Sequence, residues 1–181
     1  MTAPVWTPPP LVSTGDVETA AQFDALLGTG GDLDFLHVAK ALRVRASAAQ
    51  SIPDTTVTLV TWNTEDFDLF AAHSTSANTS RITIPSTLPG VWKVHAQAQF
   101  AANATGQRNI ELWKNGVLAV GPSSQYAPPA GVCTVDITSL FNLVAGDYIE
   151  VKVSQTTGGA LNLLSGSVAS FFEAVWLGSA T

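Results

Sequence analysis

Hydrophobic residues recur at every second position through most of the chain from Ala41 onwards, the spacing that gives a strand one buried and one wetter face. The clearest case is 143–154, where Ile149, Val151 and Val153 alternate with Tyr148, Glu150, Lys152 and Ser154 behind an Ala145-Gly146-Asp147 turn. Residues 91–101 form a long strand with Trp92, Val94, Ala96, Ala98 and Phe100 on one side and Lys93, His95, Gln97 and Gln99 on the other. Strands are also expected at 41–47, 81–84, 110–114, 117–120, 132–138 and 166–177. Asn115-Gly116 between two of them is a strong signal for a two-residue type I′ hairpin. At 55–63 the phase changes, with Val57 and Leu59 giving way to Val60 and Trp62, which predicts a bulge. Polar residues 64–80 read as a long surface loop anchored by Phe67, Leu69 and Phe70, and 121–131 reads as a Pro/Ser/Gly loop.

Residues 1–39 follow another pattern. Pro8, Pro9 and Pro10 favour an extended polyproline arm that carries Trp6. Thr19 and Gln22 make a capping box, and Phe23, Leu26 and Leu27 then share one helical stripe that Gly28 closes. So short a helix is not stable alone in water, so its apolar side must be covered. We read 1–39 as an attachment module, with Trp6, Pro8, Pro9, Pro10, Phe23, Leu26 and Leu27 as its contacts, and 40–181 as one all-β domain. Some eight to ten short strands at close spacing indicate a jelly-roll β-sandwich, and no repeat suggests a solenoid or propeller.

The last strand changes the picture further. Ser170, Phe172, Ala174 and Trp176 point one way, and Phe171, Val175 and Leu177 the other, with Glu173 the one charge between 166 and 177. One face suits the sandwich core, and the other needs a second cover. A neighbouring copy of the chain is the simplest cover, and closed cyclic symmetry prevents runaway assembly. Phe171, Phe172, Val175 and Trp176 are the expected interface residues.

Composition agrees. Hydrophobic residues make up 46% of the 181, enough for a real core, while charged residues are only 12%, about half the usual share. Such a weakly charged surface suits a subunit covered by neighbours. Net charge is −6, and the eight Lys and Arg residues are scattered, which argues against a nucleic-acid partner. No apolar run approaches a bilayer span, and the first residues lack a basic and apolar leader pattern. The expectation is a protein made in a cytoplasm, with no membrane partner.

No reaction centre is visible. His37, His73 and His95 are far apart and lack HExxH spacing. Three copies of His95 or Glu173 on a trimer axis, or Glu65, Asp66 and Asp68 in one loop, are the conceivable metal sites, and ordinary polar roles outweigh both. There is no GxSxG elbow, and Cys133 alone makes neither a disulfide framework nor a thiolate cage. Catalytic, cofactor and metal residues are therefore expected to be none.

Strand 91–101 (GVWKVHAQAQF AAN from Gly90), the hairpin ELWKNG, LFNLVAGDYIEVKVSQ and the closing SFFEAVWLG together resemble the jelly-roll head of the tumour-necrosis-factor and complement-q superfamily. More closely, they resemble its version in bacteriophage structural proteins, and the stretch PPPLVSTGDVETAAQFDALL resembles the arm and helix that precede such heads. The resemblance spans roughly residues 41–178. It implies a homotrimer around the aromatic last strand, mounted on a virion through 1–39 and assembled in the host cytoplasm. Its partners would be other virion proteins, of capsid or tail, and a host surface glycan or protein. Capsid decoration and a tail or fibre appendage both fit. The alternative is a free lectin-like or cytokine-like trimeric binding module, and behind it a glycan hydrolase.

Overall fold

The computed structural model describes residues 40–180. The arm and helix expected in 1–39, with Trp6, Pro8, Pro9, Pro10, Phe23, Leu26 and Leu27, lie outside the described residues, as does His37.

Twelve strands follow in chain order: β1 (Ala41–Arg45), β2 (Gln50–Ile52), β3 (Thr58–Leu59), β4 (Thr64–Asp68), β5 (Arg81–Thr83), β6 (Gly90–Phe100), β7 (Gln107–Lys114), β8 (Val117–Tyr126), β9 (Cys133–Leu143), β10 (Tyr148–Gln155), β11 (Leu161–Leu163) and β12 (Phe171–Gly178). They form two antiparallel sheets, so the described domain is the all-β sandwich that the period-two pattern predicts. One sheet runs β4-β1-β12-β6, with β9 along the other side of β6 and β11 continuing from β6 to β2. The other runs β3-β10-β7-β8, with β5 also on β10. The alternating residues meet between the sheets. Trp92, Val94, Ala96, Ala98 and Phe100 of β6 are buried, and so are Ile149, Val151 and Val153 of β10.

The phase change at 55–63 marks where the chain leaves one sheet for the other. Val57 and Leu59 face outward on the β3 side, whereas Val60 and Trp62 are fully buried. Residues 64–80 are not all loop: 64–68 form β4, an edge strand on β1. Its polar side chains hid it, because an edge strand exposed on its outer side needs few apolar residues. Likewise 121–126 continue β8 as a strand. Register shifts opposite Ile110–Trp113 carry the chain past Gly121 and Pro122, and a proline is tolerable on a sheet edge where no partner needs its missing N–H.

The Asn115-Gly116 hairpin is as expected, with positive φ at both residues (51° and 77°), the requirement of a type I′ turn. It does more than reverse the chain. Asn115 Nδ2 donates to Asp147 Oδ1 (2.7 Å), the Tyr148 amide donates to Asn115 Oδ1 (2.9 Å), and Lys114 Nζ lies 2.8 Å from Asp147 Oδ2. The Val144 amide also donates to Asp147 Oδ2 (3.0 Å), closing the 144–147 turn. Burial works against the charge of Asp147, but the Lys114 ammonium, the Val144 amide and the Asn115 amide outweigh it. Together they hold the carboxyl at about 2, below its ordinary 3.8.

At the opposite end, Arg108 and Gln155 are completely buried neighbours across β7 and β10. Arg108 donates to the carbonyls of Thr105, Gln107 and Asn103 (2.8, 3.1 and 2.9 Å). Gln155 donates to Ile52 and Gly159 carbonyls and accepts from the Thr157 amide. Buried polar groups that satisfy loop carbonyls in this way fix the loops they touch. Burial pushes the Arg108 guanidinium down and the nearby Cys133 thiol up, so Cys133 stays a protonated, inert core residue.

Two outcomes follow for stability. Because the folded-state carboxyl of Asp147 sits below its unfolded value, its contribution is complete above about pH 5 and is lost as pH falls towards 2, on the order of 2 kcal/mol in all. Chemical denaturation from pH 7 to pH 2 should show that loss in the parent and a flatter profile in Asp147→Asn. Phe172→Ala, which empties the centre of the core, should cost about 3–5 kcal/mol in the same assay.

Candidate interaction surface

The register of the first sheet arranges its outer face in rows. One row is Arg43, Glu173, His95 and Thr138 on β1, β12, β6 and β9; the next is Ala41, Val175, Lys93 and Leu140. Arg45, Phe171, Gln97 and Asp136 form the row on the other side. A row of Arg43, Glu173 and His95 therefore runs beside one in which the apolar Val175 and Leu140 flank the exposed Lys93.

In the charged strip Glu173 is the centre. Its Oε1 lies 3.0 Å from His95 Nδ1 and its Oε2 accepts from Arg43 Nη1 at 3.4 Å. Arg43 Nη2 also donates to the Ser167 carbonyl (2.7 Å), and its guanidinium stacks 3.8 Å above the Phe171 ring. His95 meets the same ring edge-on, with centroids 5.3 Å apart. Arg45 Nε donates to Asp66 Oδ1 at 2.6 Å. The strip is half-exposed, so each ion pair is worth little by itself in the single chain. Its larger effect is to roof Phe171, which keeps only 8% of its surface exposed.

The expected interface residues separate accordingly. Phe172 is wholly inside the sandwich, with its ring centroid 5.8 Å from that of Trp62, and leaves no surface for a partner. Trp176 packs partly against the core and donates from Nε1 to the Pro89 carbonyl (3.2 Å). Val175 remains 40% exposed. Around it lie Leu177 and Leu140, which carry more exposed surface still and which the sequence pattern did not single out as a pair. Leu140 could have been found from the alternation of 132–138, had the strand been continued to its true end at Leu143.

Further exposed apolar residues lie at the two ends of β8. Among the described residues β8 is the outermost strand of the second sheet, and Val117 and Leu118 at its start and Tyr126 at its end are exposed, as is Val132 just before β9. A ten-residue edge strand invites pairing unless something covers it.

The other expected sites do not converge. Glu65 bonds His73, Asp66 takes Arg43 and Arg45, and Asp68 accepts the amides of Phe70 and His73. Among the described residues no group of three or more His, Cys, Asp or Glu side chains is arranged to hold a metal ion.

No protein-family model matches the chain, and no curated protein matches it. Solved structures do. A crystal structure of murine APRIL at pH 8.0 is 17% identical with a TM-score of 0.60, over 77% of this chain and 100% of that one. The globular domain of zebrafish complement 1qA is 14% identical with a TM-score of 0.57, over 78% and 99%. Eiger TNF from S. frugiperda is 18% identical with a TM-score of 0.57, over 79% and 95%. At such identities the likeness speaks for the fold: residues 40–180 form a jelly roll similar to the tumour-necrosis-factor and complement-q heads.

Proposed function

We propose that the chain is a non-enzymatic structural protein of a bacteriophage virion, a jelly-roll head that assembles as a homotrimer and is mounted through residues 1–39. The observation that carries the assembly is the pair of unlike apolar areas on one chain. The strip of Val175, Leu177 and Leu140 lies on a sheet face, whereas Val117, Leu118 and Tyr126 lie on a sheet edge. A contact of face to edge is head-to-tail, and it ends without fibres only if rotation closes it into a ring. Three copies are what the superfamily resemblance implies. The low charge of the chain fits, since covered surface needs no charge to stay in solution.

The mounting rests on the sequence of 1–39, where a proline-rich arm and an amphipathic stripe have an apolar side to cover. Its partner would be a capsid or tail protein of the particle. As decoration, the trimer would clamp neighbouring shell subunits; as a fibre or tail head, it would hold host-surface groups through three weak sites acting together. A second reading, a free trimeric binding module, shares the same head and differs in having no particle to hold.

Val175→Asp and Leu140→Asp should each convert a trimer to monomers while leaving the unfolding midpoint of the monomer nearly unchanged, because both sites are exposed in the single chain. Sedimentation velocity reads the outcome, and an intact trimer in both variants would sink the face-to-edge assembly. Removing residues 1–39 separates the two readings. A mounted protein stays trimeric and is lost from purified particles, whereas a free binding module keeps both its assembly and its ligand.

A further inference from the structure

The segment between β4 and β5 runs back alongside β5 and leaves an open cavity of about 250 Å³, a little below the roughly 300–1,000 Å³ usual for drug-sized ligands. Its walls include Ala71, His73, Ser74, Asn78, Arg81 and Thr83. The frame is fixed independently of any ligand. The His73 ring is fully buried, with Nδ1 3.0 Å from Glu65 Oε1 and Nε2 3.2 Å from the Thr79 carbonyl, so both its nitrogens are engaged. Ser74 Oγ accepts from the Ala77 amide (3.1 Å), and the Thr83 amide donates to the Ala72 carbonyl (2.8 Å). Ala71 and Asn78 hold φ of 54° and 53°. For an alanine that is a strained conformation, kept only where the surroundings impose it.

Three side chains in the cavity wall are left over. Among the described residues, the Asn78 amide, the Thr83 hydroxyl and the Arg81 guanidinium enter no hydrogen bond or ion pair. Arg81 Nε is buried and has no acceptor. The guanidinium rests 4.5 Å above the Tyr148 ring, and Glu150, its cross-strand neighbour, does not come within ion-pair distance. A buried donor without an acceptor is costly, and Nε with an adjacent Nη is the edge of arginine that pairs side-on with a carboxylate. A hydroxyl and an amide beside it suit the hydroxyls of a sugar, and the alanine wall suits its apolar face.

We propose that this cavity binds an acidic monosaccharide unit through its carboxylate, with Arg81 as the carboxylate clamp and Asn78 and Thr83 on the ring hydroxyls. The proposal deepens the adhesion form of the function above by naming its ligand class, and it rests on that reading. The net charge of −6 opposes anions in general, so the site is weak singly and selective for a ligand that fills it. Three copies on one head would supply the avidity.

The test titrates full-length protein with glucuronic acid and N-acetylneuraminic acid, followed by NMR and calorimetry, with glucose and sodium sulfate as comparisons. At least one of the two acids should saturate a single class of site near about 1 mM, with shifts confined to 71–83 and Tyr148. Glucose and sulfate should each bind at least about tenfold more weakly. Arg81→Gln should lose at least about tenfold, and Arg81→Lys should recover only part, since an ammonium cannot make the side-on pair. Thr83→Val, which leaves the clamp in place, should lose about two- to fivefold, and it decides the matter if Arg81→Gln fails to fold. Saturation by neither acid, equal binding of sulfate, or a folded Arg81→Gln that binds like the parent would each overturn the proposal. Sedimentation on the same samples keeps the two ideas apart. A trimer that binds no acid defeats this inference alone, and a monomer that binds it defeats the assembly alone.

Discussion

β12 is attached along both edges, to β1 on one side and to β6 on the other, and its register decides what every neighbouring strand shows to solvent. Phe172 lies in an inward row with Val44, Ala96 and Ile137, and its ring packs on Trp62. A slip of one residue would exchange Phe172 for Phe171 and turn Glu173 or its neighbours through the sheet. The core would then have to accept a carboxylate, which costs several kcal/mol or forces the group neutral. The mass of Phe172 inside and the charge of Glu173 outside therefore fix one register between them. The charged strip and the apolar strip on the outer face are consequences of that choice.

The two ends of the sandwich are secured by different means. At one end a charged group ties turns together: Asp147 receives the side chains of Lys114 and Asn115 and closes its own turn through Val144. At the other, buried neutral and cationic side chains hold loop carbonyls, with Arg108 on the 103–107 segment and Gln155 on Ile52 and Gly159. Gly90 shows how close the packing is beside the last strand. Its φ is 139°, and a β-carbon there would run into the backbone of Gly178 and Ser179. A glycine at the start of β6 is thus a requirement of close approach as well as of conformation.

Much of this architecture was legible because alternation and turn chemistry are local. Ile149, Val151 and Val153, the five inward residues of β6 and the Asn115-Gly116 turn all behave in the fold as their spacing says. What escaped depends on how backbone and side chains meet in the fold, which alternation alone does not encode. Arg108 is an inward residue whose two terminal nitrogens donate to the carbonyls of Asn103, Thr105 and Gln107, a loop conformation that its polar sequence does not announce. β4 is a strand because β1 has an edge to fill, not because TEDFD has strand character. The candidate surface was half visible. The two-faced last strand pointed to its outer side, where Phe171 is roofed by Arg43, a residue 128 positions earlier in the sequence. The cavity over β5 was hidden inside a stretch read as a plain polar loop, and only the pairing of the 71–83 backbone sets Arg81 beneath it.

The low charge of the chain and the two apolar areas can be weighed together. A face carrying Val175, Leu177 and Leu140 and an edge carrying Val117, Leu118 and Tyr126 differ in shape as well as position. A two-fold contact must pair each surface with itself, leaving either the free β8 edge or the flat strip uncovered in at least one such pairing. A ring satisfies both in a single repeated contact, and it puts the free edge of one copy against a finished sheet of the next, where no further strand can add. The half-exposed Glu173 cluster would then lie beside that contact. Away from water its ion pairs gain strength, and each partner becomes costly to remove singly. In the proposed trimer the same side chains that roof Phe171 in one chain would fix the angle at which the next chain docks, so specificity would fall to the Glu173 cluster and burial to Val175, Leu177 and Leu140.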